Sequence, residues 1–142
     1  MRESTRLDAC NCFAARQAAR HLTRLYERHL SGADLTSAQF SILVAIDERA
    51  GANMNELASA LVMDRTTLLR AIKPLQRERL VASDAHPNDT RQLAFSLTPA
   101  GERRLKQALR LWQNAQDEFE AEVGSGVAAR IRRDLLTLAK AD

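Results

Sequence analysis

Residues 57 to 101 constrain the fold of this chain more than any other stretch. Asp64 can cap a helix running from Arg65 to about Arg79. Just before it, Asn53 and Glu56 have the spacing of a capping box, which predicts a short helix from about Met54 to Leu61. Immediately after it, Val81–Asp84 and Leu93–Leu97 alternate like strands, and His86-Pro87-Asn88-Asp89 between them is strong turn chemistry. A short helix, a turn, a longer helix and a hairpin, in that order, are the parts of a winged helix-turn-helix.

The longer helix has two chemically different sides. At ~100° per residue, Leu68, Leu69, Ile72 and Leu75 gather on one side and Thr66, Thr67, Arg70, Lys73 and Arg77 on the other. Burying each leucine supplies ~1.5–3 kcal/mol, so the apolar side is expected to face the protein. The other side then offers two hydroxyls near the helix start and three cations behind them. Short threonines can approach base edges or phosphates closely, and Arg70 can grip a guanine edge or a phosphate. Lys73 and Arg77 suit backbone phosphates. In the hairpin, Arg91 sits near the turn, where a guanidinium can enter a minor groove, and Asp89 can bond the turn backbone or hold that guanidinium. Duplex DNA is therefore the expected partner. The bland alternatives are a solvated basic face and a surface ion pair at the turn.

The flanks read as helices. Ala14, Ala18, Leu22 and Leu25 form a stripe within a helix over residues 7–30, ended by Ser31-Gly32-Ala33. Thr36 and Gln39 have capping-box spacing, with Leu35 placed to staple against Phe40, and Gly51 closes that helix. Thr98-Pro99 pairs an N-cap with proline at the first helical position, opening a helix to about Val123. Gly124-Ser125-Gly126 separates it from a last helix over about residues 127–140. The whole chain reads as one domain: a winged helix-turn-helix over about 35–97 between flanking helices at 7–30 and 98–140. The fold class is mainly α with a small β-wing.

With 142 residues, 45% of them hydrophobic, the chain can bury a real core, and the net charge of +3 is too small to name a partner by itself. No apolar run approaches the ~18 residues of a membrane span, and Met1-Arg2-Glu3-Ser4 lacks a secretory core. Cys10 and Cys12 form no disulfide framework, so a cytoplasmic protein with free thiols is the simpler expectation. There is no G-x-S-x-G, glycine-rich phosphate loop or metal-ligand cluster, and two isolated histidines, His21 and His29, do not make a zinc site. An enzyme is not expected, nor is a cofactor or metal. The rival of a different class is a winged helix that binds proteins and never touches DNA.

The run E-L-A, M-D-R-T-T-L-L-R, L-V, D-T-R and L-T-P-A-G resembles the MarR family of transcription regulators across nearly the whole chain. The resemblance implies a homodimer joined through the first, fifth and last helices on a pseudo-palindromic operator, with repression as the family expectation. It makes Arg65, Thr66, Thr67 and Arg70 major-groove contacts and Arg91 a minor-groove contact. Two positions depart from the family pattern. Arg79 stands where glycine is common, a strain of ~1 kcal/mol if its φ is positive. Pro74 lies inside the recognition helix and removes its backbone bond to the Arg70 carbonyl.

Two signals compete for the switch. L-D-A-C-N-C-F-A resembles the organic-hydroperoxide-sensing branch of the family, with Cys12 at the reactive position and Tyr26 at one of the assisting tyrosines, but Arg16 at the other. Arg16 also lies four residues after Cys12, near the helix start, a setting that activates a thiol. On a continuous helix Cys10 and Cys12 would lie ~200° apart and could not bridge each other. The competing signal is a small aromatic acid or phenol in the cleft beside the reading module. Arg16 would then pair with its carboxylate, and Phe40 and Trp112 would form an apolar wall.

Overall fold

The computed structural model describes residues 6–140; the Met1–Ser4 segment lies outside the described residues. Among these residues six helices and one hairpin follow in order: α1 (Asn11–Leu30), α2 (Ser37–Glu48), α3 (Met54–Leu61), α4 (Arg65–Arg77), β1 (Val81–His86), β2 (Asp89–Leu97), α5 (Pro99–Val123) and α6 (Ser125–Ala139). Among the described residues no helix is long and apolar enough to cross a membrane.

One core joins the middle of the chain. Leu30, Phe40, Ile42, Leu43, Ile46, Leu57, Leu68, Ile72, Leu75, Leu80, Phe95 and Leu105 are buried together. These residues come from the end of α1, the reading module and the start of α5. Each element contributes one face, so none can bury its apolar stripe without the others. The flanking helices are different: α1 buries only Leu25 and Leu30, and α6 only Ala128.

Local chemistry accounts for most boundaries. The Thr36 capping box is complete: Gln39 N–H donates to Thr36 Oγ1 (3.1 Å) and Thr36 N–H donates to Gln39 Oε1 (3.0 Å). Asn53 caps α3 by accepting from Glu56 N–H (2.9 Å), but the expected return bond from Glu56 is replaced by a different link. Asn53 Nδ2 instead donates to Gln92 Oε1 on the wing (2.8 Å), tying the start of α3 to β2. Thr98 caps α5 by accepting from Gly101 N–H (3.0 Å), with Pro99 at the first helical position.

Four expectations need correction. The first helix starts at Asn11, after a 3-10 turn over Leu7–Ala9, and Cys10 is its N-cap, accepting from Phe13 N–H through Sγ (3.4 Å). The two cysteines therefore do not share a continuous helix, and the wheel angle between them does not apply. Leu69 is 44% exposed, whereas Leu68, Ile72 and Leu75 are fully buried. The buried arc of α4 is only about 60° wide at a step of 100° per residue, and Leu69 falls outside it. The strands are longer than expected and enclose a two-residue turn at Pro87-Asn88. Finally, only Gly124 separates α5 from α6, with φ 88°, and Gly126 lies inside α6.

The exit of α4 is a Schellman turn. Leu80 N–H donates to the Leu75 carbonyl (2.9 Å) and Arg79 N–H to the Gln76 carbonyl (3.0 Å), with Arg79 left-handed at φ 58°. The first turn of α5 docks on that exit. Thr98 Oγ1 donates to the Arg79 carbonyl (2.6 Å) and Thr98 N–H to the Leu80 carbonyl (3.0 Å). Helix α4 runs through Pro74 to Arg77 despite the backbone donor that proline lacks.

Candidate nucleic-acid interface

The turn between α3 and α4 is tight. Val62 is left-handed at φ 51°, and Met63 N–H donates to the Ala58 carbonyl (2.9 Å). A β-branched residue is the least suited to that conformation, so this turn stores strain. Asp64 then starts α4, accepting from Thr67 N–H through Oδ1 (2.8 Å) and from the Thr67 hydroxyl through Oδ2 (2.7 Å). These bonds, led by the one from the hydroxyl, hold the Asp64 carboxyl below the usual aspartate range. They also commit the Thr67 proton to the cap, so Thr67 meets a ligand only as an acceptor.

Beyond the cap, Arg65, Thr66, Thr67, Arg70, Lys73 and Arg77 are all exposed. Arg65 falls toward the wing, beside Leu69, on a side of the helix that the protein does not cover.

The wing presents its arginine through an irregularity. Ala85 pairs with Leu93, but the next residue, His86, pairs with Asp89. Thr90, Arg91 and Gln92 therefore bulge out of the ladder. Asp89 Oδ1 accepts from both the backbone N–H and Nε of Arg91 (each 3.1 Å), and the Arg91 side chain remains 89% exposed. The Arg91 bond is the main cause that lowers the Asp89 carboxyl below its ordinary range. Gln92 Nε2 donates to Asp89 Oδ2 (3.4 Å), so Asn53, Gln92, Asp89 and Arg91 form one chain of contacts from α3 to the wing. The wing is also stitched to the corner after α2: Gly51 N–H donates to the Phe95 carbonyl and Phe95 N–H to the Ala52 carbonyl (both 2.9 Å). A cleft of about 500 Å³ opens between α4 and the wing, lined by Arg65, Thr66 and Leu69 on one side and Arg91 and Leu93 on the other.

The residues considered for a switch are not gathered in one place. Phe40 and Trp112 stack with ring centroids 6.3 Å apart and planes at 21°. They line a cleft of about 490 Å³ between α2, α3 and α5. The cation of that cleft is Arg49, paired with Glu48 (3.0 Å), while Arg16 is exposed on α1 and does not line it. Sequence reasoning missed Arg49; its signal is a Glu-Arg pair at the end of the helix that carries Phe40. Tyr26 lines a third cleft, with Phe119, Ile131 and Arg132, and its hydroxyl donates to Gln116 Oε1. Burial pushes the Tyr26 hydroxyl up, Glu120 adds to this, and Arg132 opposes it. Cys12 is exposed. Tyr26 follows it by fourteen residues on α1, about 21 Å of helix rise, so one chain cannot bring the two together. His21 and His29 face α5 carboxylates, Glu122 at 3.4 Å and Glu118 at 3.5 Å.

The MarR family model matches residues 35–93, which span the reading module. The DNA complex of the Mycobacterium tuberculosis transcriptional regulator MosR superposes with a TM-score of 0.82 at 37% identity, covering 92% of this chain and 94% of that one. The chain belongs to the MarR family. A probable transcriptional regulator from Pseudomonas aeruginosa, a further solved structure, has a TM-score of 0.84 at 28% identity, over 94% of this chain and 99% of its own. The regulator TtmR of Methylorubrum extorquens is 33% identical over 95 residues, 67% of this chain, and the match spans about half (49%) of TtmR itself. This MarR-family chain is a DNA-binding transcriptional regulator and not an enzyme. The idea of a winged helix that avoids DNA gives way.

Proposed function

We propose that this MarR-family protein is a cytoplasmic homodimeric repressor that holds a pseudo-palindromic operator and is released by a small aromatic acid or phenol. The observation that carries the reading is the shared opening of α4 and the wing: Arg65 and Thr66 border the same cleft as Arg91. A helix in the major groove then brings the wing arginine to the adjoining minor groove without rearrangement. Arg65, Thr66 and Arg70 read base edges or the nearest phosphates, with Thr67 accepting beside its cap. Lys73 and Arg77 neutralise phosphates, and Asp89 aims Arg91. The relationship to MosR, solved on DNA, supports this assignment. Twofold pairing is supported by the apolar surface of the flanking helices, where Leu109, Val127, Leu135, Leu136 and Leu138 are exposed in the single chain.

The stacked Phe40 and Trp112, beside Arg49, favour an aromatic anion as the releasing signal. An exposed Cys12 on the first turn of α1 favours a second reading, oxidation by an organic hydroperoxide, with any partner for the thiol supplied by the other subunit.

One binding assay tests these roles. On DNA from the protein's own upstream region, Arg70→Ala and Arg91→Ala each weaken binding by about tenfold or more, within the ~1–3 kcal/mol that a base-reading arginine contributes. Unchanged affinity in both variants refutes the assignment. In the same assay an aromatic acid releases the wild-type complex. Release by hydroperoxide alone, abolished by Cys12→Ser, selects the thiol reading instead.

A further inference from the structure

We infer that Leu69 is a base-reading residue that meets the 5-methyl group of thymine in the major groove and so favours a T at a fixed place in each half-site. The inference rests on the proposed role of α4 as the recognition helix. Leu69 is 44% exposed, although three neighbours on its own helix are fully buried. It stands between two exposed cations, Arg65 one turn before it and Lys73 one turn after. It also lines the cleft between helix and wing, beside Thr66 and facing Arg91.

A leucine there does nothing for a phosphate, and leaving it in water forfeits the gain from burying it. The cations around it select a polyanion, so the apolar tip must meet an uncharged part of that polyanion. Across the major groove the base pairs present donors, acceptors and a single kind of apolar group, the thymine methyl. Arg65 and Thr66 supply the polar contacts on either side, which fixes the place at which the methyl is read. A docking protein is the less suitable occupant, because the lining of this cleft carries Arg65 and Arg91 and no acidic residue, with Lys73 exposed one turn beyond Leu69.

The test begins with selection of bound duplexes from a random pool by the full-length wild-type protein. Each thymine of the enriched half-site is then replaced by deoxyuridine, which lacks only the methyl group. Uracil at one position, or two adjacent ones, weakens wild-type binding by about fourfold, the effect of burying roughly one methyl group. Leu69→Ala binds the thymine and uracil duplexes alike at that position and, being altered at an exposed site, melts where the wild type does. If Leu69→Ala fails to fold, Leu69→Gln, which keeps the bulk at this exposed site but loses the apolar tip, is compared on the same duplexes. Wild-type indifference to uracil throughout, or full discrimination retained by Leu69→Ala, overturns the assignment and leaves the recognition-helix reading standing. A pool that yields no enriched sequence overturns both.

Discussion

Arg79 holds a left-handed backbone, φ 58°, at the turn that ends the recognition helix. A side chain in that region costs about 1–2 kcal/mol, against about 0.5–1 kcal/mol of extra chain entropy for a glycine in the unfolded state. Arg79→Gly is therefore expected to stabilise the protein by up to about 1 kcal/mol and to raise its melting temperature by about 2–4 °C, read by thermal circular dichroism. Arg79→Ala removes the side chain but keeps the strain, so it gains nothing by this route. This residue was legible because a helix must reverse there into a strand, at a place where the family pattern has glycine. Val62 was not, since nothing in a valine announces a positive φ; only the bond from Met63 back to Ala58 reveals the turn it occupies. Spacing misplaces Leu69 for a related reason: it gives the direction of a side chain on its helix, and the neighbouring hairpin decides whether that direction is covered.

Elements are defined here as much by their junctions as by their interiors. Gly101 is the clearest case. A methyl group on its Cα would lie 2.1 Å from the Leu80 carbonyl oxygen, which is backbone and cannot step aside. Gly101→Ala is expected to destabilise the fold by about 3 kcal/mol or more through overpacking, measured by urea denaturation. A urea midpoint unchanged by this substitution shows that α5 and the α4 exit part readily. Helices α2 to α5 were legible because Thr36, Asn53, Asp64 and Thr98 all act as caps. The wing was less so. Thr90-Arg91-Gln92 reads as a loop, and only the pairing of Ala85 with Leu93 shows that these residues bulge from a continuing ladder. The switch residues were legible singly but not as a set. A wheel orders one helix at a time, and it could not show that Arg49 rather than Arg16 accompanies Phe40 and Trp112.

At the scale of the whole molecule, the distribution of apolar surface is uneven. The reading module buries its large side chains, while α6 leaves Leu135 44%, Leu136 55% and Leu138 68% exposed. In the proposed homodimer this surface is where the second copy sits. Leu136→Glu is expected to give a monomer by sedimentation velocity and to lose most operator affinity, with little change in helix content. A variant that stays dimeric, or a monomer that binds the operator as tightly, contradicts the proposed assembly.

The contact at Gly101 has a mechanical consequence. With the first turn of α5 seated directly on the exit of α4, the two helices share a joint without slack. Helix α5 has 25 residues, a rod of about 37 Å, so swinging it by about 5° around that joint carries its far end through about 3 Å. A push that tilted the distant tip would therefore be felt at the reading head, as a tiller turns a rudder, because the joint leaves no gap to absorb it.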